Sequence, residues 1–377
     1  PEKSIKLRNN WMEVFVSKEN RHTLPLFTSL LNVVFIYKPS RPLLQFNSLL
    51  LTESNRERLV EISCQLLIAV LDYNIIVDDD DDCGGERTNC DDKRNNSFIE
   101  YMSRIHREED LVFLIKGFIR LLKNNLEQGN LWMSTRTHIE LDQELQILLW
   151  KICNLNKRFI QFLLKSNDVL DIVVPILYHL NENFQEPSRT ALIHMGVFNL
   201  LLLSSERNFG VRLNKQYSAN LLGNLPEFSG SHADLMILVF HKLIMYGYKI
   251  NQLYDYLLTV LVNVSPYLKG ATILACKCLI QLFETFSSVF VLFTEPNYHQ
   301  LVIFLLEIFN NLIQYQFDGN ANLVYMILTR KELFINLVNL PTGQKYIDKV
   351  LRRLAKQKQR FEQQQQQLNK PQQQQQQ

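Results

Sequence analysis

Residues 111–123 read LVFLIKGFIRLLK, and the spacing of their apolar side chains decides the fold class. Leu111, Leu114, Ile115, Phe118, Leu121 and Leu122 recur at intervals of three and four, while Lys116, Arg120 and Lys123 form a polar stripe. An α-helix turns once per 3.6 residues, so this spacing lays one apolar band along one face. A strand would need alternation with a period of two. The same rhythm returns upstream, where Leu59, Ile62, Leu66, Leu67, Val70 and Leu71 oppose Arg56, Arg58 and Glu61. It returns downstream in Leu141, Leu145, Leu148, Leu149 and Ile152. Residues 301–314 are apolar nearly all round, with Glu307, Asn310, Asn311 and Gln314 defining a narrow polar face. Such a helix is expected to be covered on most sides by neighbours. Further helices are predicted near 24–36, 158–165, 168–181, 188–204, 233–246, 251–264, 270–291, 321–328, 331–339 and 344–362.

Composition agrees. Of 377 residues, 12 are glycine and 11 proline, together about 6%, roughly half the ordinary ~12%. Sandwiches and barrels need many turns, and dinucleotide-binding folds need glycine at strand–helix junctions, so few punctuators argue for long helices with short connections. More than a dozen helices in series, without a strand run bounded by hairpin turns, is the pattern of a helical stack. No self-similarity with a period of ~34 or ~40 residues shows a regular repeat array. The chain reads as all-α, an irregular armadillo/HEAT-like helical solenoid, with a compact helical bundle as the alternative.

Forty basic residues against 38 acidic ones give a net charge of +2, which argues against a nucleic-acid partner. An aromatic share of 11% excludes a wholly disordered chain. The six cysteines, at 64, 83, 90, 153, 276 and 278, form no CxxC pair. Cys276 and Cys278 lie two apart on a predicted helix and so point to roughly opposite faces. Sparse cysteines in a long chain predict reduced, cytosolic thiols. The longest suspicious uncharged window, Thr190 to Ser205, is 16 residues long and holds His194 and Asn199, short of the ~20 apolar residues a spanning helix needs. The chain opens at Pro1 and stops inside a glutamine run, so it is expected to be a piece of a longer protein, with any N-terminal targeting or lipid signal out of view.

Two stretches break the helical pattern. Residues 78–94, DDDDDCGGERTNCDDKR, hold eight acidic and three basic residues and read as a disordered acidic insertion at about 78–97. From Lys345 onward come eight basic and two acidic residues, then glutamine runs. This divides the chain into a helical-repeat-like domain over 1–343 and, over 344–377, a basic helix with a glutamine-rich disordered tail.

No catalytic constellation survives weighing. GxGxxG, GxxxxGK[ST], GxSxG and HExxH are all missing, and the eight histidines show no metal-ligand spacing. His106 and Glu109 could share a metal, but Glu108, Glu109 and Asp110 are better read as first-turn carboxylates opposing a helix dipole. Cys83 and Cys90 lack a second ligand pair, and the glycosylation-type triplet at Asn95 is read as chance. No catalytic residue, metal or cofactor is expected.

One loop stands out: residues 205–215, SERNFGVRLNK. Phe209, Val211 and Leu213 alternate with polar residues, which predicts extended backbone. Arg207, Asn208, Phe209, Arg212 and Lys215 are the candidate interaction residues. Guanidinium groups grip carboxylate or phosphate in forked geometry, or else pin the loop to helix-end carbonyls. Phe209 is expected to insert between helices. A second loop, Gln314 to Asn320, is read as a helix stop at Asp318 and Gly319.

Several blocks carry a resemblance: ENRHTLPLFTSLLN (19–32), YMSRIHREEDL (101–111), SNDVLDIVVPILYHLN (166–181), SSERNFGVRLNKQYS (204–218), HADLMILVFHKL (232–243), TVLVNVSPYLK (259–269) and FLLEIFNNLIQYQFDGNANLVY (304–325). In this order they resemble the high-temperature-induced dauer formation family over about residues 11–343, with dymeclin a more distant relative. The resemblance implies a non-enzymatic, cytoplasmic protein, peripheral on Golgi membranes. It would serve secretory, dense-core vesicle biogenesis and cargo sorting through other proteins of the trafficking machinery. Relatives carry an N-myristoyl glycine after the initiator methionine, which implies membrane contact for the full-length lipidated protein but maps to no residue here. Beside this stands a second expectation, a lipid-binding or lipid-transfer module with a groove among the apolar helices of 270–313.

Overall fold

The computed structural model describes residues 9–38, 47–73, 96–126, 141–218, 229–293 and, with 294, 296, 342, 344, 354 and 355 set aside, 295–353 and 356. The described residues form two compact units, one running to Arg212 and the other comprising Leu213–Ser218 and the residues from 229 onward. The sequence reading treats both as one domain. The fold is all-α; the strands, β1 (Gln216–Tyr217) and β2 (Gly230–Ser231), make one two-residue antiparallel ribbon among the described residues.

The first unit contains α1 (Asn10–Val16), α2 (Thr23–Ile36), α3 (Asn47–Asp72), α4 (Ser97–Arg104), α5 (Glu108–Leu126), α6 (Asp142–Leu155), α7 (Lys157–Lys165), α8 (Asp168–Asn183), α9 (Thr190–Ser204) and α10 (Arg207–Arg212). The stretch that decides the fold class is α5. Its apolar band is buried, with Phe118 and Leu122 fully enclosed. Phe118 meets Phe35 of α2 edge-on at 4.8 Å. Gly117 makes this approach possible: a Cβ there would fall 2.5 Å from the Phe35 ring. The polar stripe of α5 is equally committed. Lys116 and Lys123 reach Asp168 and Asp171 in the first turn of α8, at 3.3 and 2.6 Å. Arg120 donates to the carbonyls of Phe35 and Tyr37 at the end of α2. Around this helix, α2 also packs on α3 and α4, α3 on α6, and α9 against both α6 and α8.

The second unit contains α11 (His232–Tyr246), α12 (Tyr254–Val264), α13 (Ile273–Ser287), α14 (Val289–Leu292), α15 (Tyr298–Gln316), α16 (Ala321–Thr329) and α17 (Lys331–Val338), followed by helical backbone over 345–353. α13 is its axis, contacted by α11, α15, α16 and α17. Phe283 of α13 stacks on Phe334 at 4.5 Å and meets Phe309 edge-on at 5.7 Å. Cys276 and Cys278 both end up buried, because α13 is wrapped on more than one side.

Two expectations are corrected here. Residues 301–314 lie in α15, which buries one face through Leu301, Leu305, Ile308 and Leu312 while Ile303 is 55% exposed and Leu306 and Ile313 are partly open; that helix is covered on one side rather than on most. The acidic insertion, expected to run to 97, stops earlier. Asn96 and Ser97 are buried: Asn96 caps α4 and donates to the carbonyls of Val70 and Tyr73 at the end of α3. Residues 78–95 lie outside the described residues.

Candidate functional site

The segment after α9 is where sequence reading located its candidates. Ser204 ends α9, Phe209 N–H donates to Glu206 O at 3.0 Å, and the chain winds into the short α10. The expected extended backbone is therefore a helix. The misreading has a simple cause: Phe209 and Leu213 are fully buried and four apart, whereas Val211 between them is 44% exposed. The pattern was i, i+4 rather than alternation. Phe209 is fully buried. Arg212 donates to Lys165 O, the last residue of α7, and to Asn167 Oδ1 at 3.0 Å. Its fork thus satisfies a helix terminus whose carbonyls have no intrahelical partner. Arg207 and Asn208 lie exposed on the first turn of α10.

The described residues from Leu213 onward belong to the second unit. Asn214 donates to Tyr267 O at 2.8 Å and accepts from Lys269 N at 2.7 Å. Lys215 O accepts from His232 N and sits 2.7 Å from His232 Nδ1, while its side chain is exposed. The structure therefore brings Phe209 and Arg212 together on α10 and leaves Lys215 in a separate set of contacts. Arg212 is engaged by neutral carbonyl-type acceptors, which is what a clamp requires.

No group of three or more His, Cys, Asp or Glu placed to hold a metal occurs among the described residues. His106 Nδ1 lies 2.8 Å from Arg104 O, and Glu108, Glu109 and Asp110 occupy the first turn of α5. His179 Nε2 lies 3.4 Å from Asp142 Oδ1 inside the first unit, both groups buried. Burial pushes the thiols of Cys64, Cys153 and Cys276 up to about 12 and that of Cys278 to about 11, the opposite of a reactive cysteine. Cys83 and Cys90 lie outside the described residues.

The structure also contains a class of residue that sequence reading passed over. Buried asparagines bridge helix ends. Asn156 caps α7 through Phe159 N (2.9 Å) and donates to Met102 O and Ile105 O at the end of α4 (2.9 and 2.8 Å). Asn199, by contrast, lies inside α9 and donates to Gln146 O inside α6, tying two helix faces together. Asn320 donates to Leu268 O and Gln316 O and accepts from Ala271 N. Asp234 joins two helix starts: it completes a capping box with Ser231 and accepts from the backbone N–H and hydroxyl of Thr272, the N-cap of α13. The available signal was an asparagine just ahead of an apolar periodic run; the second partner of each could not be seen.

An apolar cleft of about 320 Å³ opens in the first unit between α2, α4 and α5, with Leu24, Phe27, Leu31, Tyr101 and Phe113 in its walls and Arg107 at its rim. Within 270–313, where a groove is expected, the rings of Phe283 and Phe309 pack on each other and on Phe334. No helix among the described residues is long and apolar enough to cross a membrane.

Fold and site together define an all-α helical-stack protein whose most distinctive loop is tied into its own helix ends. The chain belongs to the Hid1 family, described as high-temperature-induced dauer-formation protein, whose model matches residues 1–377. Protein HID1 of Mus musculus is 51% identical over 352 residues, 92% of this chain and 44% of the mouse protein. Ubp5-interacting protein ftp105 of Schizosaccharomyces pombe is 26% identical over 249 residues, covering 64% of this chain and 27% of its own. Dymeclin of Drosophila melanogaster is 26% identical over 233 residues, covering 52% and 32%. The chain thus spans less than half the length of these relatives. No solved structure matches it.

Proposed function

We propose that this chain is part of a non-enzymatic scaffold, peripheral on Golgi membranes, that supports intracellular protein transport and the sorting of cargo into secretory, dense-core-type vesicles. The observation that carries the reading is the 51% identity to mouse Protein HID1 across 92% of the chain. An all-α stack supports it, because such stacks offer broad faces to other proteins and need no cofactor to do so. The fission-yeast relative is named for its interaction with Ubp5, which supports a role exercised through protein partners. The test is to express the full-length protein with a proximity-labelling enzyme fused to it, alongside a depleted cell line. Golgi trafficking proteins should dominate the labelled set, and depletion should divert regulated-secretory cargo to lysosomes. Diffuse labelling with normal cargo storage would refute the proposal.

The lipid-binding reading keeps one supporting observation, the cleft between α2, α4 and α5. Apolar walls under a charged rim suit an amphiphile. Native mass spectrometry of protein purified from cells tests it: a co-purifying lipid lost on Phe27→Trp favours lipid binding, and a lipid-free mass removes it.

A further inference from the structure

The helical backbone over 345–353, with Lys356 beyond it, has a face that the scaffold reading leaves unused. Lys345, Lys349, Arg352, Arg353 and Lys356 are exposed and fall at i, i+4, i+7, i+8 and i+11, which places them along one side of an α-helix. Together with Asp348 they line an open cleft of about 430 Å³. Within these six residues five cations stand against one carboxylate. Val350 is buried, so the helix packs through that side, while Leu351 is 45% exposed and lies about 100° or more around the helix from each of the cations.

We propose that this helix is a docking face for the anionic headgroups of a lipid bilayer. Charge selects the partner class: among the described residues Asp348 is the one acidic side chain lining the cleft, so a polyanion complements the stripe. The choice of a bilayer over a nucleic acid rests on the distribution of charge. Basic residues elsewhere are balanced by acidic ones, giving +2 over the whole chain, whereas nucleic-acid binders extend their basic surface over several elements. Lysine and arginine carry long aliphatic stems, which suit an interface where stems lie in the headgroup layer and charges reach the phosphates. This deepens the proposed peripheral role, resting on it only for which membrane is met in the cell; the binding itself can be measured without any cell.

The full chain is mixed with phosphatidylcholine vesicles and with vesicles that also contain phosphatidylserine, and bound protein is read by flotation. Binding should need phosphatidylserine and fall as salt is raised, since each cation near an anionic surface contributes a factor of about five that salt screens. Lys349→Gln with Arg353→Gln should lower the partition coefficient by about 25-fold while leaving the circular dichroism unchanged. Lys157→Gln with Arg158→Gln, exposed cations of α7 that change net charge equally, should lower it less than about three-fold, as a general charge effect does. The proposal is overturned by equal binding to neutral vesicles, by equal losses in the two double variants, by no binding to phosphatidylserine vesicles at low salt, or by tighter binding to polyuridylate than to vesicles at matched phosphate. Failure here with correct Golgi labelling of the full-length protein would remove the docking face alone; vesicle binding with diffuse labelling would remove the Golgi assignment alone.

Discussion

Replacing Arg212 by alanine separates the two roles that the 205–215 loop could serve. In the structure its guanidinium donates to Lys165 O and Asn167 Oδ1. Hydrogen bonds from charged donors contribute about 1.5–3 kcal/mol each when protected from water. Arg212 is only half-buried, so water replaces part of what is lost and screening lowers the rest; about 1–2 kcal/mol in total is the expected cost. For a unit of this size 1 kcal/mol moves the melting midpoint by about 2–4 °C, which predicts a fall of about 3–6 °C. Arg212→Lys keeps the charge but not the fork and should recover about half. Phe209→Ala in the same helix removes a fully enclosed ring and should cost about 3–5 kcal/mol. Melting by circular dichroism is measured beside capture of the labelled Golgi partners on the same protein. An Arg212→Ala curve that overlays the parent, combined with lost capture, would refute the clamp and make Arg212 a partner contact.

Asn156 is predicted to show the signature of a bridge rather than a cap. Asp, Asn and Ser serve nearly equally as isolated N-caps, but a carboxylate at 156 would face Met102 O and Ile105 O, so Asn156→Asp should melt lower than Asn156→Ser; equal melting would leave only the cap. The four buried thiols and Tyr254, all raised by burial, with Cys64 and Tyr254 at about 12, bind protons in the folded state that the unfolded chain releases from pH ~8.5 upward. Their contribution is therefore complete below ~8.5 and is lost as pH rises toward about 12, so denaturant midpoints should fall steadily through that window; a flat profile would contradict the burial. At neutral pH a thiol reagent should label no more than the two remaining cysteines, 83 and 90, until denaturant is added, and a third native label would show one buried site to be open. Deleting 78–94, whose composition supplies no core, should move the melting midpoint by no more than about 2 °C, whereas Asn96→Ala should cost about 2–3 kcal/mol through a lost cap and two unpaired carbonyls; a large loss from the deletion alone would mean that the acidic stretch is docked.

Helix positions were legible because apolar periodicity is a local property. The expected 168–181, 233–246 and 331–339 correspond to α8, α11 and α17 within two residues. What was illegible depended on distant partners. The 270–291 segment breaks at Ser288, a stop with no glycine or proline to announce it. α10 was hidden because six residues are too few for 3.6-residue periodicity to outweigh a chance alternation. At the candidate site, the insertion of Phe209 follows from its chemistry, but the target of Arg212 lies 45–47 residues back, at Lys165 and Asn167, and no local pattern names it.

The scarcity of glycine has the same root as those hidden partners. Many helices close on a glycine whose backbone reaches back to the last carbonyls. Among the described helices here, Gly247 is the one glycine at a C-cap. The ends of α2, α3, α4 and α7 are instead closed from a distance by Arg120, Asn96, Asn156 and Arg212. Each stop signal is therefore also a tertiary contact, and a helix end is complete only when its partner has docked. The side-chain bridges from Asn156 to Met102 O and Ile105 O, from Asn199 to Gln146 O, from Asn214 to Tyr267 O and from Asn320 to Leu268 O span 51 to 54 residues, whereas those from Asn96 to Val70 O and Tyr73 O span 26 and 23. The Arg120 bridge to Tyr37 spans 83 residues and encloses the acidic stretch. Because the closure cost of a chain segment grows only with the logarithm of its length, that bridge tolerates an insertion between its partners. It does not tolerate a shift of Arg120 along α5, because rotating it by one residue, about 100°, would carry the guanidinium away from the carbonyls it closes.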